Sequence, residues 1–409
     1  MEIKNLQKHI RTLAILEETE APVISCYLHL EGGEKGFKDF LKERMHILSG
    51  THTGQIRQYL DEAFCFIKDF LKIGVSPDTK GVAIFARGGP KPFFLPLQFY
   101  VLLENWISVD TTPNIYPLVE LKNNYDRYVL MISTKGEARI VEVNLGQVTK
   151  QLWEKRPKLR GRVGREWTKE HYQNHRRERT NRFIREKIKV LEKIMSTGGH
   201  TQLILAGHPT MTARVHKLLP KHLKAKLVDI FSASQDNKIS KVVALALSNF
   251  IEQTAKESLA MVGKLQQQIN TNGLAVVGIR GSLKVLRKGQ VDVLILAKSF
   301  DGHVVWICNH CGNIEPEFTS LCGSCGDSQW QKINTKQEAV RFAEQNGCKV
   351  EIVHDSDVLM ELGGIGCLLR YKTPEKFFGN IHPTAEKMKI KSTGEMHKKR
   401  KSESYVNFM

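Results

Sequence analysis

Little in this chain marks a secreted, fibrous or membrane-spanning protein. Eight cysteines in 409 residues are few, and four of them lie within eighteen positions, so a disulfide framework is not expected. Proline is sparse at 13 residues and aromatic side chains make up 8%. No apolar run approaches the length of a membrane span, and the N-terminal residues lack the apolar stretch and small-residue cleavage site of a signal peptide, so a cytoplasmic protein is expected. Internal repeats are absent.

Catalytic signatures are missing as well. The sequence has no Gly-x-x-x-x-Gly-Lys-Ser/Thr phosphate loop, no His-Glu-x-x-His and no Gly-x-Ser-x-Gly, so nucleotide hydrolysis, zinc-protease and esterase chemistry are not expected. Residues 273–281 are glycine-rich, but their spacing fits a strand-to-helix turn better than a dinucleotide loop. Cys26, Cys65, Cys348 and Cys367 sit among apolar residues and read as small buried hydrophobes rather than nucleophiles.

Acidic residues are outnumbered, 43 against 61 Lys and Arg, for a net charge of +18. The excess is concentrated. Between Lys150 and Lys193 there are 16 Lys/Arg and 6 Glu, a local +10. That segment begins irregularly, broken by Pro157, Gly161 and Gly164, and from residue 167 to 195 becomes a helix free of proline and glycine. Ile184, Ile188, Leu191 and Met195 form its buried stripe. Residues 173–182 have no large apolar side chain and are expected to project. Lys155, Arg156, Lys158, Arg160, Arg162, Arg165, Lys169, Arg176, Arg177, Arg179 and Arg182 are the candidate RNA-binding residues, because guanidinium and ammonium groups suit phosphate. The competing reading is a solvated helix laced with Glu/Arg pairs.

A length of 409 residues with 41% hydrophobic content calls for several domains. Residues 1–122 mix helical runs (37–49, 55–73) with extended ones (23–30, 81–86, 93–103). Residues 123–270 open with a hairpin at 128–134 and 137–143, continue through the basic segment and helix 154–195, and then alternate strands with helices. Residues 271–374 repeat the α/β theme around an insertion at 303–330. The lysine-rich tail 375–409 is expected to be disordered. The fold class is α/β.

The insertion reads Cys308-Asn-His-Cys311-Gly and, with ten residues between Cys311 and Cys322, Cys322-Gly-Ser-Cys325-Gly. Two such knuckles provide four thiolates for one tetrahedral zinc, a closed and therefore structural site. His310 is expected to be exposed.

Three stretches resemble one family. Gly363-Gly-Ile-Gly-Cys-Leu-Leu-Arg-Tyr371 is similar to the closing strand of the archaeo-eukaryotic class-one release factors and Pelota, and residues 277–296 are similar to the helix and strand of their third domain. Leu203-Ile-Leu-Ala-Gly207, Leu219-Pro-Lys-His-Leu223, Val23-Ile-Ser-Cys-Tyr-Leu28 and Gly81-Val-Ala-Ile-Phe85 resemble the bacterial branch. The resemblance implies a three-domain, tRNA-mimicking architecture with a zinc ribbon in the third domain. It further implies entry into the ribosomal A site, with the N domain toward the decoding centre and contacts to ribosomal RNA of both subunits. In release factors the middle-domain loop carries Gly-Gly-Gln; here the matching slot is Arg165-Glu166-Trp167, followed by Thr168 and Lys169, and the Asn-Ile-Lys-Ser decoding motif is absent too. Such a chain is most similar to the members that bind ribosomes without releasing peptide, the Balon-type hibernation factors delivered by the elongation GTPase Tu. A monomer is expected, with no membrane or DNA partner and no catalytic residue. Two alternatives stand beside this: a rescue factor or peptidyl-tRNA hydrolase built on Arg165, Glu166 and Lys169, and a free RNA-binding protein.

Overall fold

The computed structural model describes residues 3–31, 34–77, 79–124, 128–134, 137–144, 147–155, 169–198, 200, 202–233 and 239–371. Met1–Arg370 form one compact unit; the second, Tyr371–Met409, falls outside the described residues except for Tyr371, as does the expected disordered tail.

The chain opens with α1 (Ile3–Ala14), β1 (Val23–His29), α2 (Glu34–Thr51), α3 (Gly54–Ile73), β2 (Gly81–Arg87), β3 (Phe93–Phe99), β4 (Trp106–Asp110) and α4 (Tyr116–Asn124). The strands form an antiparallel sheet in the order β3-β2-β1-β4. Strand periodicity sorts its two faces. Ile24, Cys26, Leu28, Val82, Ile84 and Ala86 pack on Leu60, Phe64 and Ile67 of α3, while Tyr27, Ala83 and Phe85 point the other way, to a cluster that includes Leu6, Ile10 and Leu13 of α1. Both faces are therefore covered, which is why β1 and β2 read as nearly continuous apolar runs.

Next come β5 (Tyr128–Ser133), β6 (Glu137–Asn144), β7 (Gln147–Lys155), α5 (Lys169–Gly198), β8 (Gln202–Gly207), α6 (Pro209–Leu218), α7 (Lys221–Lys224), β9 (Leu227–Ser232) and α8 (Ile239–Asn270). The sheet order is β7-β6-β5-β8-β9, with the expected β5/β6 hairpin antiparallel and β5, β8 and β9 parallel. One face buries Val129, Met131, Leu203 and Leu205 under α5 and α6; the other buries Tyr128, Leu130, Ile204 and Ala206 against Val242, Val243 and Ala246 of α8. Strand β7 runs into the segment that the sequence marks as irregular from Glu154, and Glu137 pairs in register with Lys155 at its end.

The last region contains β10 (Ala275–Val277), α9 (Ile279–Arg287), β11 (Val291–Ala297), β12 (Val304–Cys308), β13 (Ile314–Glu315), β14 (Trp330–Asn334), α10 (Thr335–Gln345), β15 (Lys349–Val353), α11 (Asp357–Glu361) and β16 (Ile365–Leu369). A four-stranded sheet β10-β16-β11-β15 carries the separate three-stranded insertion β13-β12-β14. The Gly363-Gly364 pair before β16 has φ of 95° and 72°, a left-handed turn that side-chain-bearing residues rarely adopt.

The first and third sheets share one buried cluster running from Leu6 to Leu369. Hydrogen bonds follow it: Gln7 Nε2 donates to Glu344 Oε2 at 2.8 Å, Gln345 Nε2 to the Ala14 carbonyl at 2.6 Å and Asn123 Nδ2 to the Val350 carbonyl at 2.9 Å. The middle sheet has its own two clusters.

Candidate nucleic-acid interface and metal centre

Helix α5 has 30 residues and, at about 1.5 Å per residue, is about 45 Å long. Ile184, Ile188, Leu191 and Met195 are buried as their spacing predicts, and Phe183 joins them. Burial starts one turn earlier than expected: Thr180 is 3% exposed. Lys187 is also buried, with Nζ 5.4 Å from the Phe183 ring centroid, and burial lowers its pKa. Position 187, three residues after Ile184 and four before Leu191, lies on the same helical face, and the lysine stem runs over the core as an amphipathic side chain can.

Arg179, Arg182 and Arg185 lie on the side of α5 away from the buried stripe and are exposed; Arg177, seven residues before Ile184 on the stripe's own side, is exposed as well, as are Gln173, Asn174 and His175. Among the described residues none of those four guanidinium groups has a carboxylate within 4 Å, although Glu178 and Glu186 lie on the same helix. Glu192 pairs instead with His222, at 3.3 Å. Among the described residues, these four arginines are therefore not paired to Glu178 or Glu186. Lys155 ends β7 and Lys169 begins α5. Arg156, Lys158, Arg160, Arg162 and Arg165, with Glu166, lie outside the described residues; Arg176 is within α5, but its side chain is not among those described.

The four insertion cysteines come together. All four Sγ atoms lie within 4.8 Å of one another, with Cys308 to Cys325 and Cys311 to Cys322 both at 3.5 Å. A tetrahedron with metal–sulfur bonds of about 2.3 Å has edges of about 3.8 Å, so the set fits one metal ion and is too open for disulfides. The knuckles are near copies. Gly312 and Gly326 donate to the carbonyls of Cys308 and Cys322 at 2.9 and 2.8 Å, and the N–H groups of Cys308 and Cys322 donate to Asn313 and Asp327, both at 2.8 Å. Each turn requires its glycine, at φ of 72° and 75°. Burial opposes ionisation of Cys322, but the N–H groups of Ser324 and Cys325 donate to its sulfur and pull the thiol down to about 6; burial and neighbouring thiols push Cys311 up to about 12. His310 is exposed, as expected, and stands outside the cluster.

Of the other cysteines, Cys26, Cys348 and Cys367 are buried. Cys65 is not: on α3 it faces solvent, next to the buried Phe64, because the apolar neighbours that suggested burial belong to the opposite face of the helix.

Two family models match in succession. Bacterial archaeo-eukaryotic release factor family 10 matches residues 113–250, which hold the middle sheet and α5, and domain 3 of the eukaryotic class-one release factor matches residues 255–373, which hold the last sheet and the cysteine insertion. Over these two regions the chain belongs to the archaeo-eukaryotic release-factor superfamily, with residues 113–250 matching its bacterial branch. The second match starts within α8, so the long helix bridges the two matched regions.

A curated relative, peptide chain release factor subunit 1 of Thermococcus sibiricus, is 30% identical over 134 residues, which is 27% of this chain and 32% of the relative. The chain thus spans about a third of the length of the curated relative it matches. Among solved structures, an archaeal translation termination factor is 16% identical, covering 91% of this chain and 99% of its own, with a TM-score of 0.26. Dom34 of S. cerevisiae, a translation termination-like factor, is 13% identical over 72% of this chain and 81% of its own, with a TM-score of 0.38. The C-terminal domain of a Methanosarcina mazei peptide chain release factor is 23% identical over 33% and 94%, with a TM-score of 0.27.

Proposed function

We propose that this protein is a ribosome-binding factor that occupies the A site during hibernation or stress and does not release peptide. The observation that carries the reading is the pairing of release-factor family membership across residues 113–250 and 255–373 with a sequence that contains no Gly-Gly-Gln. The family's architecture supplies the fit to the ribosome; without the tripeptide, the means of delivering water to the peptidyl ester is missing.

In this reading the chain has three domains, 1–122, 123–270 and 271–374. Arg177, Arg179 and Arg182 of α5 contact ribosomal RNA together with the adjoining residues Lys155, Arg156, Lys158, Arg160, Arg162, Arg165, Lys169 and Arg176. Unpaired guanidinium groups favour this, because phosphate then displaces only water and counterions. Zinc is the metal that suits four cysteine thiolates in a closed tetrahedron, and its contribution is structural. The elongation GTPase Tu is the proposed delivery partner, the protein acts as a monomer, and its compartment is the cytoplasm. Among the described residues, no helix is long and apolar enough to cross a membrane.

The test is cosedimentation with vacant bacterial ribosomes across a salt series. The reading predicts saturable binding that A-site tRNA displaces, with affinity falling by about 0.7 log units per decade of salt for each single-stranded phosphate contacted. Binding that A-site tRNA leaves untouched would contradict it.

A further inference from the structure

Helices α2 and α3 enclose a groove of about 540 Å3. Its floor is apolar, formed by Phe37, Leu41, Met45 and Leu71, and its edges carry Lys38, Lys42 and His46 on α2 and Lys68 and Lys72 on α3. Among the described residues no carboxylate lines it. Lys72 pairs with Asp69 at 3.1 Å with both side chains well exposed, and such a pair is weak.

The pattern follows from helical spacing. Positions 38, 41, 42, 45 and 46 share one face of α2, and 68, 71 and 72 share one face of α3, so apolar and basic residues alternate across the same trough. A trough of this kind complements a ligand with an apolar ridge and anionic flanks. An amphipathic helix provides both: hydrophobic anchors at i, i+3, i+4 and i+7 for the floor, and carboxylates on each side for the lysines.

We propose that the α2–α3 groove is a docking site for an acidic amphipathic α-helix of a partner protein. Charge excludes two nearer occupants. The chain's own residues 375–409 carry eight Lys/Arg against four Glu, and a second copy of the groove presents the same cations. Nucleic acid matches the edges but not the floor, where Phe37 is 7% exposed and the other three residues are non-aromatic, leaving no ring face for a base to stack on.

The full chain is titrated, by fluorescence anisotropy, into three labelled probes: a helical peptide of about 18 residues with a leucine stripe flanked by glutamates, the same composition scrambled to break the stripe, and a single-stranded RNA. The striped peptide should bind at least about tenfold more tightly than the scrambled one. Lys42→Glu with Lys68→Glu, both exposed and harmless to the fold, should weaken it by about tenfold or more without moving the thermal midpoint, and Met45→Asp should do the same from the floor. Equal affinity for the scrambled peptide, unchanged affinity in the charge-reversed variant, or displacement of the peptide by RNA would overturn the proposal.

Discussion

The sulfurs of Cys311 and Cys322 stand 3.5 Å apart across eleven positions of sequence, and the Cys308–Cys325 pair repeats that distance from the other side. The four groups meet only because each knuckle turns back through a left-handed glycine. Around them the insertion is thin: Val305, Ile307, Ile314 and Ile333 are its buried aliphatics, and they belong to the cluster that runs through the first and third sheets. Damage at the metal centre should therefore reach beyond the insertion.

Purified protein is expected to hold one zinc per chain by atomic emission. Cys311→Ser combined with Cys322→Ser should abolish it, and chelation of the parent protein should lower its melting temperature by several degrees, by linkage of metal binding to folding. Acidification should release the metal, since protons compete for the thiolates.

Arg177, Arg179 and Arg182 should separate binding from stability. Their triple replacement by alanine is expected to reduce ribosome affinity by about tenfold or more, whereas exposed substitutions of this kind shift stability by only about 0.5 kcal/mol each. Parallel cosedimentation and denaturant unfolding check both.

Leu191→Ala should behave oppositely. Leu191 is fully buried against the middle sheet, and losing it should destabilise by about 2 to 5 kcal/mol in urea unfolding, with the folded fraction retaining its ribosome affinity.

Thiol reactivity should rank the remaining cysteines. Cys65 should alkylate quickly in the native protein; Cys26, raised far above the ordinary thiol range by burial, and Cys367, pushed by burial to about 12, should react only on unfolding. Mass spectrometry after timed labelling gives the order.

The sequence was most legible where chemistry or periodicity is local. The Cys-x-x-Cys-Gly spacing led to the cluster, the 184, 188, 191, 195 stripe gave the buried side of α5, and the expected hairpin at 128–143 formed. Helix α1 was within reach, since Leu6, Ile10 and Leu13 recur at helical spacing. Strand β7 was harder: Gln147–Lys155 is mostly polar, and the fixed pairing along β6 outweighs its weak pattern. The shared cluster of the first and third sheets was not legible, because an apolar strand reveals that both faces are buried but not which distant segment covers them.

The most direct test of the central claim is peptide release. Ribosomes carrying labelled peptidyl-tRNA in the P site and an empty A site are incubated with saturating protein, bound chain and freed peptide being counted in the same tubes. Stoichiometric binding with release no faster than the buffer control is the predicted result; release above that control would mean that the segment around Arg165, Glu166 and Lys169 is catalytic, and would contradict the account.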